Sequence, residues 1–197
     1  MLARVERSRL ARAATELLAP AVLVSVLLVL LGWHSTAYRL HGLGLGVVAA
    51  LFESLLPFAY ILRGVRRGEL SDRHVGDRSQ RLRPLLVAFG SVVVGAAVLI
   101  ALAAPRELLA AVAAGGVGLL VAAAINHWWK MSIHAAVAAG ACVILALVFG
   151  PGMLVTAALV GLVGWSRVRL GDHTWPLVLV GYAVGALVAG VVFASLR

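Results

Sequence analysis

"AAVAAGACVILALVFGPGMLVTAALVGLVGW", Ala135 to Trp165, contains no charged side chain from end to end. A helix needs only about 20 apolar residues to cross roughly 30 Å of hydrocarbon, so this run is too long for one span. At its middle lies "FGPG", Phe149 to Gly152. Proline removes a backbone donor and glycine accepts backbone angles closed to other residues, which marks a turn. The stretch therefore reads as a tight hairpin of two short helices. Working outward, uncharged runs extend over Leu17–Tyr38, Gly42–Leu62 (interrupted by Glu53), Pro84–Pro105, Leu108–Asn126 and Thr174–Leu196. Each suits one helix, and with the hairpin the expectation is an all-α polytopic transmembrane bundle of about seven spans. Composition agrees: 62% of the 197 residues are hydrophobic and the mean hydropathy is +1.03, far above an ordinary soluble domain.

The first apolar run is long and lacks a small-residue cleavage site, so it is expected to be retained as a span. The single cysteine, Cys142, falls within the fifth span. One cysteine can form neither an intramolecular disulfide nor a cysteine metal cluster.

A formal net charge of +9 would suit a nucleic-acid binder, but the placement of the charges argues otherwise. With seven alternating spans, Arg4, Arg7, Arg9 and Arg12, then Arg63 through Arg83, then Lys130, Arg167 and Arg169 fall on one side. Arg39, Arg106 and Arg197 fall on the other. The positive-inside tendency makes the crowded side cytoplasmic, and an anionic inner leaflet would attract it. Nucleic acid is not needed to explain the charge. Arg4 to Arg12 and Arg63 to Arg73 read as topology signals, and Trp33, Trp128, Trp129 and Trp175 as interfacial belt residues. The alanine-, leucine- and arginine-rich composition suits a bacterial plasma-membrane protein.

The same orientation collects three polar segments on one face: "DRSQRLRP" (Asp77–Pro84), "HWWKMSIH" (His127–His134) and "SRVRLGDH" (Ser166–His173). Arg78, Arg81, Arg83, Lys130 and Arg167 would together attract a dianion, and guanidinium forks match phosphate oxygens. Ser132, at the start of the fifth span, can add a hydroxyl and backbone donors. Of two imidazoles, His134 and His173, one can attack phosphorus while the other protonates the leaving oxygen. Cations that neutralise the phosphoryl oxygens let this chemistry run without a metal or other cofactor.

In this order, an Arg-Pro segment, a Ser-x-His segment and Ser-Arg-x5-His, the chain resembles the type 2 phosphatidic acid phosphatase superfamily. Those lipid phosphate phosphatases are related in fold to vanadium haloperoxidases. Ser166, Arg167 and His173 match the third motif of the family at its full spacing, Ser132 and His134 the second, and Arg83 with Pro84 the end of the first. The resemblance implies that His173 is the nucleophile forming a phosphohistidine, that His134 is the general acid, and that Arg83, Ser132 and Arg167 hold the phosphate. It covers residues 77–197 as a phosphatase-like core, with 1–76 as a basic segment, two spans and a basic loop before it.

Three positions depart from the family pattern. Gly76 stands where the first motif has a lysine, and Arg78 or Lys130 would have to supply that charge. Ile133 replaces the glycine of Ser-Gly-His. Leu177 replaces the aspartate that orients the nucleophilic histidine, so Asp172, Glu53, Asp77 or a backbone carbonyl would have to take its part. "HTW", His173 to Trp175, is closer to the dolichyl diphosphatase branch and inclines the substrate toward polyprenyl phosphates, beside phosphatidate, phosphatidylglycerol phosphate and polyprenyl-phosphoryl sugar phosphates. The function expected is an integral membrane phosphatase acting on a lipid or isoprenoid phosphate at the cytoplasmic face. The alternative is a degenerate member that binds phosphorylated lipid without hydrolysing it, with Leu177 as the reason.

Glu53 stands apart, about mid-span, with Ser54 beside it and Pro57 one turn on. A carboxyl at that depth faces the bundle interior, lining a headgroup cavity, pairing with an arginine, or protonated and hydrogen-bonded to a neighbouring helix. The glycines of "GLGLG" (Gly42–Gly46) and "GYAVGALVAG" (Gly181–Gly190) have the small-residue spacing that lets helices approach closely.

Overall fold

The computed structural model describes residues 2–72, 75, 80 and 82–197. Nine α-helices are found among them, with no strand: α1 (Leu2–Leu17), α2 (Pro20–His34), α3 (Arg39–Ala50), α4 (Leu56–Arg66), α5 (Leu82–Ala101), α6 (Arg106–Trp128), α7 (Ile133–Phe149), α8 (Ala157–Arg169) and α9 (Trp175–Leu196). A π-helical turn, Leu51–Leu55, joins α3 to α4, and a 3-10 turn, Pro151–Thr156, leads into α8. Five stretches are long and apolar enough to cross a membrane: Arg39–Arg66, Leu82–Ala101, Arg106–Trp128, Pro151–Arg169 and Trp175–Leu196. A sixth arises if Ser8–Leu17 and Pro20–His34, bent by 41° at their junction, count as one.

The amino-terminal boundary differs from the sequence reading. The chain is helical before the apolar run begins, and the bend comes at Pro20, which occupies the first turn of α2 while Ala19 is extended. Proline fits that first turn, where its missing N–H has no partner to lose, and cannot continue a preceding helix. Ala11, Ala14 and Thr15 form a buried stripe on α1 at helical spacing, and α1 packs on α8. The division at residue 76 is therefore not a gap in packing, since α5 likewise packs on α4 and the π turn.

The hairpin reads as expected. Gly150, at φ 93°, ends α7 and turns the chain into Pro151 and α8. α7 and α9 then run parallel, with α8 returning between them in sequence. Their contact is the most extensive in the molecule and depends on small residues: a side chain on Gly185 would collide with the Ala136 backbone, and Gly140 faces Ala189. At the far end the Arg197 guanidinium donates to the Leu147 carbonyl at 2.7 Å, capping α7. A second close pair, α2 with α3, meets through Gly32 against Gly42 and Gly46. Between these pairs lies the main core, with Leu28, Leu31, Leu99, Leu108 and Phe193 fully buried.

The π turn has a local cause. Pro57 has no N–H to give, and the Phe52 carbonyl is instead taken by the Ser91 hydroxyl of α5. The Ser54 hydroxyl donates to Ala21 of α2 at 2.7 Å.

Candidate functional site

Parallel α7 and α9 place their amino termini side by side, with the carboxyl end of α8 between them in the chain. Helix amino termini carry partial positive charge, so this end favours an anion. Ser132 caps α7: its hydroxyl accepts the Ala135 N–H at 3.4 Å, and its own N–H donates to the Leu177 carbonyl of α9 at 3.2 Å. Ser132 is fully buried and His134, in the first turn of α7, nearly so.

The end of α8 supplies the opposing groups. Ser166 is fully buried; its hydroxyl donates to the Val163 carbonyl at 2.7 Å and accepts from Thr15 of α1 at 3.0 Å. Arg167, 5% exposed, reaches Asp172 at 3.1 Å through Nη2, while its buried Nε has no hydrogen-bond partner. Gly171, at φ 78°, reverses the chain, and the N–H groups of Asp172 and His173 both donate to the Arg167 carbonyl, at 3.1 and 3.3 Å. This turn folds His173 back onto the end of α8. Burial, with the nearby Arg167 and Lys130 cations, pushes His173 down to about 4, against the opposing pull of Asp172 and a backbone hydrogen bond at Lys130. Its imidazole is neutral at pH 7. Nδ1 is buried without a hydrogen bond.

Two of the three polar segments therefore meet. Ser132, His134, Lys130, Arg167, Asp172 and His173 lie at the junction of α7, α8 and α9, with Lys130 exposed at its rim. Asp172 folds back, and its ion pair is with Arg167. Leu177 contributes a backbone carbonyl, and that carbonyl serves Ser132, not His173.

The other expected residues lie elsewhere. Arg83 is exposed in the first turn of α5, whose main packing partners are α3, α4, α6 and the π turn, and no hydrogen bond or ion pair among the described residues ties it to the cluster. Glu53 sits in the π turn against Gly115 of α6, so it neither orients His173 nor lines this junction. Asp77 and Arg78 lie outside the described residues. The sequence reading missed Thr15 and Glu16: Thr15 bonds Ser166, and the Glu16 carboxylate acts on Arg167. The apolar spacing of Ala11, Ala14 and Leu18 around Thr15 was the available signal of a packed helix face.

A neutral imidazole, a buried guanidinium with an open Nε and two helix amino termini form a site suited to an anion. No protein-family model, curated protein or solved structure matches the chain.

Proposed function

We propose that the chain is an integral membrane phosphatase that hydrolyses a lipid or isoprenoid phosphate through a phosphohistidine. The observation that carries this reading is the turn at Gly171, which folds His173 back onto the end of α8 where Arg167 keeps a buried, open Nε. An anion that satisfies this guanidinium would lie next to an imidazole with an available lone pair. The guanidinium of Arg167 and the amino terminus of α7 would hold phosphoryl oxygens and stabilise the charge they gain in the transition state. His173 attacks phosphorus, an N–P bond forms, the P–O bond to the lipid breaks, and His134 gives its proton to the departing alkoxide. Water then attacks phosphorus, His134 recovers a proton, and inorganic phosphate leaves with His173 restored.

In this reading α2, the α3–α4 unit and α5 to α9 make seven crossings. At 1.5 Å per residue α2 and α7 extend only about 22 and 25 Å, so local bilayer thinning and the exposed Trp128, Trp129 and Trp175 would accommodate them. The basic end of the bundle then faces the cytoplasm. Rapid alkaline quench of the working protein, followed by mass spectrometry, should find phosphate on the peptide containing His173; phosphate on another residue, or none during turnover, would overturn the mechanism.

One observation favours a second reading, a binder of phosphorylated lipid without hydrolysis: among the described residues no carboxylate accepts from His173, and Asp172 is engaged with Arg167. Such a protein would bind lipid phosphate and release none.

A further inference from the structure

Glu53 is the one carboxyl among the described residues that stands near the middle of an apolar span, the 28-residue stretch Arg39–Arg66. At 1.5 Å per residue it lies about 20 Å from either end. The chemistry at His173 does not use it. Its place is nevertheless built. A side chain on Gly115 of α6 would collide with the Glu53 Oε1, so α6 keeps room for the carboxyl, and Oε2 is buried with no hydrogen-bond partner. The turn that carries Glu53 is π-helical, a geometry that recurs at functional sites inside helices.

Nothing nearby is free to neutralise a carboxylate. The two hydroxyls beside the turn are committed: Ser54 donates to the Ala21 carbonyl and Ser91 to the Phe52 carbonyl, and a hydroxyl has one proton to give. The helices packed on the turn are α2 to α6. Their charged and titratable groups are His34 of α2, Arg39 and His41 of α3, Tyr60, Arg63 and Arg66 of α4, Arg83 of α5, and Arg106, Glu107 and His127 of α6. All but Tyr60 sit in the first or last turn of their helices, and Tyr60 lies two turns beyond Glu53. Among the described residues none of them is hydrogen-bonded or ion-paired to Glu53. An ionised carboxyl that gives up water and gains neither a donor nor a cation is very costly, whereas the neutral acid is tolerated. Access comes from the side: Glu53 is only partly buried, and Leu51, Leu55 and Leu56 around it are exposed on the outer surface of the bundle.

We propose that Glu53, set against Gly115 in the π turn, is a proton-binding site at the middle of the membrane, open to the surrounding lipid and able to exchange its proton with water. The site is separate from the phosphate chemistry at the junction of α7, α8 and α9. A hydrolysing enzyme and a non-hydrolysing binder would carry it equally, and its failure would leave the proposed function standing.

The test treats the full-length protein in lipid nanodiscs at pH 7 with dicyclohexylcarbodiimide and quantifies modified peptides by mass spectrometry. This apolar reagent partitions into lipid and reacts with the neutral acid. The proton passes to a carbodiimide nitrogen, the carboxyl oxygen bonds to the central carbon, and acyl transfer to nitrogen leaves an N-acylurea on the glutamate. An ordinary glutamate in water is almost wholly ionised at pH 7, so the modified fraction at Glu53 should exceed that at Glu16, Glu69 and Glu107 by about ten-fold or more. Sodium, at fixed pH and ionic strength, should not protect it. Modification no greater than at those three glutamates, or protection by sodium, which would make the occupant a metal cation, would overturn the inference. In a detergent without ester carbonyls, the infrared difference between the native protein and Glu53→Gln should contain the carbonyl stretch of a neutral carboxyl, shifted in deuterium oxide. No such band, or one that deuterium leaves in place, would equally overturn it. If Glu53→Gln fails to fold, the labelling and sodium comparisons on the native protein still decide.

Discussion

The N–H of Ser132 donates to the carbonyl of Leu177 at 3.2 Å, fastening the start of α7 to the first turn of α9. Leu177 occupies the position where a carboxylate would be expected to orient His173, one helical turn before it. The position thus serves the site through its backbone, which any side chain would provide, while its side chain offers the imidazole no carboxylate and leaves it a backbone hydrogen bond at Lys130.

Leu177→Asp should accordingly keep the tie to Ser132 and add a carboxylate within one turn of His173. A nearby anion favours the imidazolium, so the His173 pKa should rise above its value of about 4. Turnover should increase about ten-fold or more if lack of an orienting carboxylate limits it. Histidine NMR titration with phosphate-release assays would check both; an unmoved pKa would mean that position 177 does not face His173.

Acid should weaken the fold through the same histidine. The unfolded chain takes up a proton on His173 near 6.5, whereas the folded chain does so only near 4. The contribution to stability is complete above 6.5 and is lost as pH falls from 6.5 toward 4, because the unfolded state binds more protons in that window. Thermal midpoints in detergent should fall with acid in the native protein and less steeply in His173→Gln. Equal slopes would contradict the buried neutral imidazole.

Gly185→Val should be the most damaging of the glycine substitutions, because the new side chain meets the Ala136 backbone, which cannot rotate away. A loss of about 1–3 kcal/mol or more is expected from such overpacking. Gly44→Ala, which points into open space, should cost nothing measurable and can gain up to about 1 kcal/mol of helix propensity. Unfolding midpoints of the two variants provide the comparison.

Thr15→Val should remove the hydrogen bond from α1 to Ser166 while leaving Ser166 bonded to the Val163 carbonyl. The expected cost is about 0.5–1.5 kcal/mol, and proteolysis within 2–17 should accelerate as α1 loosens from α8. Unchanged proteolysis would show that apolar packing alone holds α1.

The helical architecture and the α7–α8 hairpin were legible because uncharged length and the Gly-Pro turn at Gly150–Pro151 each have one physical outcome. That α9 would approach a neighbour closely was also visible, in the small-residue spacing of Gly181–Gly190; that the neighbour is α7 was not. Ser132, His134, Arg167 and His173 could be selected from motif spacing, and the parallel pairing of their helices brings them to one end. The place of Arg83 was not legible in the sequence, since it depends on α5 packing against α3, α4 and α6. The destination of Asp172 was equally hidden: whether it faced Arg167 or His173 depended on the turn at Gly171. α1 was concealed by its arginines, which describe a charged terminus equally well whether or not one apolar stripe packs on a neighbouring helix.

The central claim is tested most directly by inorganic phosphate release from purified protein in nanodiscs, with EDTA present, across polyprenyl monophosphate, polyprenyl diphosphate, phosphatidate and phosphatidylglycerol phosphate, beside His173→Ala. Release from at least one of these lipids, abolished in the variant while the lipid phosphate still binds, is the predicted result. No release from any of them, or release that persists in His173→Ala, would contradict it.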